Sequence, residues 1–233
     1  MPATTQTKSR GRRAVFWTGI VLVLAGLSVL GYVAWEVYGT TIVSKERQRE
    51  TTSTIEKAWG SGETEVRTEF GSAQALIEIP RFGKDYRIPV LEGTSDRALG
   101  AGFGHFDGTA GPGEVGNFAL AGHRVTHGEP LRDLPELRPG DKIRVLTREK
   151  TYVYALTSGG DDLIVPFTSI WVTDPLPDNP ERGGVEPDQK RGQRLITLTT
   201  CAELFHTDDR MIAFGKLVSE EPANQTGAGH GSE

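Results

Sequence analysis

Hydrophobic and polar positions divide the chain into stretches of different rhythm. From Ala14 to Trp35 no side chain is charged. At about 1.5 Å per residue this run reaches about 33 Å, enough to cross the ~30 Å hydrocarbon core of a bilayer. Trp17, Tyr32 and Trp35 stand near its ends, where interfacial aromatic residues belong. Ser44 to Trp59 is charged, lacks Pro and Gly, and is followed by Gly60; it predicts a helix with a C-terminal stop. Its apolar positions are few, so the expectation is a solvated helix or stalk, with Gly60–Gly71 a polar linker.

From Ala73 the rhythm changes to short apolar or alternating runs between turn residues. Strands are expected at Ala75–Ile79, Tyr86–Leu91, Asn117–Gly122, Lys142–Leu146, Thr151–Thr157, Leu195–Cys201 and Arg210–Leu217. Thr94–Leu99 and Glu129–Leu134 read as short helical turns and Arg138–Asp141 as a turn. Ala101–Gly116 is expected to be loop, and Asp161–Lys190 mostly loop with one strand-like patch at Ser169–Val172. Short strands with turns between them and no long amphipathic helix predict an all-β barrel or sandwich. Ser219–Glu233, rich in Gly, Ser and Glu, reads as disordered. The expected organisation is therefore 1–13 basic N-terminus, 14–35 transmembrane signal anchor, 36–72 juxtamembrane helix and linker, 73–218 barrel, and 219–233 tail.

Charge adds a direction. Lys8, Arg10, Arg12 and Arg13 precede the apolar run without an acid among them; Lys45, Arg47 and Arg49 follow it. The closer, unopposed group puts the N-terminus in the cytoplasm and the barrel outside the plasma membrane. The run is longer than a signal-peptide core and no small-x-small site follows Trp35, which favours an uncleaved anchor. The 233 residues carry a net charge of −5 even with that basic start, and a domain this acidic is no nucleic-acid binder.

The candidate chemistry sits at strand ends. Cys201, the single cysteine of the chain, closes Leu195–Cys201, and Arg210 opens the next strand. Two strands joined by a short polar loop bring a sulfur and a guanidinium to one rim. His123 directly follows the apolar run Asn117–Gly122. A base, a nucleophile and an oxyanion donor from three strand ends would form a catalytic rim. A metal site drawn from Cys201, His123 and His127 lacks a fourth ligand, and Gly122 and Gly128 bracket the histidines. On the residues alone His105, His127 and His206 are assigned structural or peripheral places, and Asp161, Asp162, Glu181 and Glu186 a solvated face.

Three segments carry a family resemblance: Gly111-Pro112-Gly113-Glu114-Val115-Gly116-Asn117-Phe118-Ala119-Leu120-Ala121-Gly122-His123-Arg124; the turn Leu137-Arg138-Pro139-Gly140-Asp141; and Thr197-Leu198-Thr199-Thr200-Cys201 with Arg210 nine residues on. Over residues 73–218 the chain resembles the sortases, membrane-anchored cysteine transpeptidases of Gram-positive bacteria. It looks most like class E, the actinobacterial housekeeping type, whose sorting signal is typically Leu-Ala-x-Thr-Gly. The resemblance implies an eight-stranded sortase-type β-barrel with His123, Cys201 and Arg210 catalytic. Class E commonly has tyrosine where this chain has His127. Thr200 and His127 are the candidate substrate-binding residues.

The implied reaction cleaves an LAXTG- or LPXTG-type signal between Thr and Gly and joins the Thr to an amine. Implied partners are surface proteins with C-terminal sorting signals and an amine acceptor in a peptidoglycan precursor or a pilin; no cofactor is implied. A papain-like protease has its Cys before its His, the reverse of the order here. A membrane-anchored binding module of the same fold has no need of Cys201.

Overall fold

The computed structural model describes residues 8–202 and 208–223. Helix α1 (Lys8–Ala34) runs without a break through a π-helical turn, Trp35–Gly39, into α2 (Thr40–Ser61). The span Gly11–Ala34 is long and apolar enough to cross a membrane, and none of it is buried against the protein. In the π turn the Trp35 ring lies over Gly39; a Cβ there would stand 2.5 Å from a ring carbon.

The strands are β1 (Val66–Thr68), β2 (Gly71–Glu78), β3 (Ile88–Glu92), β4 (Phe103–His105), β5 (Gly116–Ala121), β6 (Lys142–Leu146), β7 (Lys150–Leu156), β8 (Leu163–Pro166), β9 (Arg194–Cys201) and β10 (Asp209–Pro222). Pairing runs β2-β3-β4-β5-β9-β10-β7-β6, and β6 pairs back onto β2. That ring is the expected closed eight-stranded barrel, and closure leaves it without free edges. Strand β1 adds to β2, and β8 adds to β10. A four-residue helix α3 (Asp96–Leu99), capped by the Ser95 hydroxyl, fills the expected turn at 94–99. Two pairings are parallel, β3 with β4 and β5 with β9; the second builds the site.

Alternation sorts the side chains. Phe118, Leu120, Ile196, Leu198, Met211 and Ala213 join the main core inside the ring. Their neighbours of opposite parity face out. There Ile212 and Phe214 are covered by Leu163, Val165, Trp171 and Val172 of the β7–β9 connection. Asn117 pins that cover: its amide donates to the carbonyls of Val172 (3.0 Å) and Asp174 (3.1 Å), and its carbonyl accepts from the Thr197 hydroxyl (2.8 Å).

Several expectations are corrected. The helix after the span is no solvated stalk: Ser44, Gln48, Thr51 and Ile55, one stripe at helical spacing, are buried. Ile55 packs with Val66, Ala73, Leu76, Leu91, Ala98 and Ala101. The linker 60–71 contains β1, and the loop 101–116 contains β4. There Gly102 and Gly104 let backbones close in, since a Cβ would lie 2.2 Å from the Pro89 carbonyl oxygen and 2.6 Å from that of Gly93. Ser169–Val172 is no strand; a 3-10 turn spans Ile170–Thr173, and the strand of this region is β8. Ser219–Pro222, assigned to the tail, instead extend β10 against Val153–Lys150 of β7. Residues 224–233 lie outside the described chain.

Candidate active site

The site follows from register. In the β9–β10 pair, Cys201 stands directly opposite Arg210. Directly opposed residues share a face of the sheet, with Cβ atoms about 5 Å apart. Both have the outward parity of Thr199 and Ile212. Strand β5 lies on the other side of β9, and its parallel register ends at Ala121 opposite Thr199. Hydrogen bonds carry the pairing further: Gly122 N–H donates to the Thr199 carbonyl (3.1 Å), and the Thr200 hydroxyl donates to the Gly122 carbonyl (2.7 Å). One step on stand His123 and Cys201. The next residue, Arg124, donates through Nη2 to the Ala202 carbonyl (2.8 Å). His123 is thus held beside Cys201 by ties on both sides of it. The three expected residues come to one rim of the barrel, at the ends of β9 and β10 and just past the end of β5, each partly buried.

The row's surroundings set its chemistry. Arg210 is flanked on its far side by Val165 of β8, and its Nη1 donates to the Asp209 carbonyl (3.0 Å). The Ala202 N–H is engaged by the Asp209 carbonyl (3.0 Å), so the amide after the cysteine is no second oxyanion donor. Burial pushes the His123 imidazole down from 6.5 to about 4; His127 adds to this and Asp96 of α3 opposes it. His123 is therefore neutral at pH 7.

His127 lies against His123, ring centroids 4.7 Å apart and planes 26° from parallel. Its Nδ1 bonds the Thr126 hydroxyl (2.9 Å). The backbone there is left-handed, with φ of 54° at His127 and 53° at Glu129. Such φ values in non-glycine residues cost about 1–2 kcal/mol each and cluster at functional sites. The Leu131 N–H closes the loop onto the His123 carbonyl (3.0 Å), and Tyr86 donates to the Pro130 carbonyl (2.6 Å).

The remaining candidates fall elsewhere. Thr200 is only 3% exposed, and its hydroxyl ties β9 to β5. His105 is buried away from the row, between Glu92 and Gln74 on one nitrogen and Thr109 and the Ala110 carbonyl on the other. His206 lies outside the described residues. No three His, Cys, Asp or Glu side chains gather into a metal cluster among the described residues. Sequence reasoning missed Arg124, Asn117 and Asp96; the position of Arg124 next to His123 was the available signal.

Comparisons extend this picture. The sortase domain family matches residues 77–218. Sortase SrtE1 of Streptomyces coelicolor is 36% identical over 218 residues, a match covering 89% of this chain and 58% of that protein's length. The solved sortase E of Streptomyces avermitilis has a TM-score of 0.56 at 36% identity, covering 66% of this chain and 93% of its own. Sortase E1 of S. coelicolor, solved with a tripeptide in its active site, has a TM-score of 0.55 at 38% identity, covering 67% and 94%.

Proposed function

The chain belongs to the sortase family of cysteine transpeptidases, and from that premise we propose that Cys201, His123 and Arg210 transfer the acyl group of a sorting signal to an amine. The observation that carries this is the register that sets Cys201 opposite Arg210, with Gly122 and Arg124, the neighbours of His123, tied across to Thr199 and Ala202. Neutral His123 takes the proton of the Cys201 thiol as the sulfur attacks the carbonyl carbon of the Thr–Gly bond. Arg210 donates to the oxyanion that forms. The C–N bond then breaks, and the imidazolium returns its proton to the leaving glycine amine. An imidazole that binds its proton only weakly is a strong acid once charged, which favours this step. The thioester is attacked by the incoming amine, whose proton passes to His123. The C–S bond breaks, and the sulfur recovers a proton from the imidazolium.

The signal is of the LAXTG or LPXTG type, carried at the C-terminus of surface proteins. The peptide in the active site of the S. coelicolor relative supports a peptide substrate of this kind. The acceptor is an amine of a peptidoglycan precursor or a pilin. Residues 14–35 anchor the chain in the plasma membrane, with the basic N-terminus cytoplasmic and the barrel outside; residues 73–218 do the chemistry. The full chain in detergent, incubated with Leu-Ala-x-Thr-Gly and Leu-Pro-x-Thr-Gly peptides and an amine, is expected to release Gly and yield the Thr–amine product by mass spectrometry. Absence of that product with both peptides overturns the reading.

A further inference from the structure

The connection between the membrane span and the barrel is not a tether. α1, the π turn and α2 form one unbroken helix, and α2 is fixed to the barrel by its buried stripe Ser44, Gln48, Thr51 and Ile55. What α2 touches first is the loop that carries the candidate histidines. The Thr41 hydroxyl donates to Glu129 Oε1 (3.3 Å). Gln48 lies against Gly128, where a Cβ would fall 2.3 Å from its Nε2. Lys45, Gln48 and Arg49 share a cleft with Gly128, Glu129, Pro130 and Arg132. Arg132 is held charged chiefly by Glu129, and also feels Asp133 and Tyr38 of the π turn. The far end of α2 packs instead on β1, β2 and β3.

Helix geometry turns these contacts into heights. Thr41 stands about 10 Å and Gln48 about 20 Å beyond Ala34, the end of the apolar span. The headgroup layer itself is about 5–8 Å deep on each side. Apolar side chains continue past the span: Tyr38 is 71% exposed and Ile42 70%. An exposed apolar face continuous with a membrane span is a face for the bilayer interface.

We infer that the bilayer surface is a docking partner of the barrel, and that the His123–Asp133 loop, with the catalytic row beside it, is the end facing that surface. The inference rests on the reading of α1 as a membrane span and not on the transpeptidase reading. It puts the loop within about 20 Å of the hydrocarbon edge, just above the headgroup layer.

The test uses the full chain in phosphatidylcholine–phosphatidylglycerol vesicles. In a Cys201→Ala background, one introduced cysteine carries a fluorophore at Arg132 (Arg132→Cys) or at Lys190 (Lys190→Cys), which precedes β9 at the opposite end of the barrel. Lipids spin-labelled in the headgroup are expected to quench most of the emission at 132 and little at 190. Inserting two helical heptads between Gly39 and Thr40 raises the barrel by about 21 Å with little change of phase. With Cys201 restored, this insertion should leave transfer between a soluble peptide and a soluble amine unchanged. Transfer from a peptide on a short lipid tether should fall at least about tenfold, and in the labelled protein the quenching at 132 should be lost. Equal quenching at 132 and 190, quenching at 132 that survives the insertion, or unchanged transfer from the tethered peptide each overturns the inference. Turnover of the soluble pair reports that the lengthened protein folds. A wild-type chain that transfers from neither peptide defeats the transpeptidase reading, while the quenching pattern still decides the orientation.

Discussion

His123 is where the residue scale gives its sharpest consequence. Folding lowers its proton affinity from 6.5 to about 4, chiefly by burial. Between those values the unfolded chain binds more protons than the folded one. The contribution of a neutral buried His123 is complete above about pH 6.5 and is lost as the pH falls toward 4. Thermal melts of the wild type should therefore drop between pH 7 and pH 4.5 by more than those of His123→Asn, a difference of about 1–3 kcal/mol. Parallel curves for the two proteins would contradict the assignment. Arg210 is the second test at this scale. Its planar fork stays charged and offers donors in fixed geometry, whereas lysine is a hydrated point charge. Arg210→Lys is expected to lose at least about tenfold in kcat with a smaller change in KM and an unchanged melt. Near-wild-type kcat would remove Arg210 from the chemistry. All three residues of the row were legible in the sequence as strand-end positions. The stacking of His127 on His123 was not, because it depends on two left-handed residues that no local pattern requires.

Elements were legible where the alternation was long. The strands expected at 75–79, 86–91, 117–122, 142–146, 151–157, 195–201 and 210–217 all occur, though β2 starts four residues earlier, at Gly71, and β10 runs five residues further, to Pro222. Strands β1 and β4 have three residues each and carry too little pattern to separate from loop; β4 also depends on close approach at Gly102 and Gly104. The buried stripe of α2 escaped notice because Ser44, Gln48 and Thr51 are polar, and only Ile55 marks it as a packed face. Ile55 is fully buried with six other buried apolar residues in its cluster, and Ile55→Ala should cost about 2–4 kcal/mol in urea unfolding. A change near zero would return α2 to the solvated stalk that composition alone implies. The parallel β5–β9 register is tested by Thr200→Val, which keeps shape and removes the bond to the Gly122 carbonyl. It should destabilise the fold by about 1–2 kcal/mol and lower kcat, with His123 no longer tied in line with Cys201. Wild-type kcat in this variant would show that the tie does not position the row.

At the scale of the whole molecule, the barrel brings together residues almost eighty positions apart in sequence by laying β5 parallel beside β9. A parallel neighbour cannot be read from strand patterns, which is why the sequence allowed a barrel or a sandwich until the family resemblance chose between them. Closure of the ring through β2 and β6 then fixes which strand ends share a rim. The continuous helix from the span adds a second whole-molecule constraint, the height of that rim. The central claim remains that Cys201 forms a thioester with a sorting signal, and intact mass spectrometry tests it most directly. The full chain, incubated with a Leu-Ala-x-Thr-Gly peptide without added amine and quenched in acid, should gain the mass of the peptide up to its threonine, on Cys201. Cys201→Ala should gain nothing, while melting as the wild type does. Cleavage or transfer of the peptide by Cys201→Ala would contradict the account.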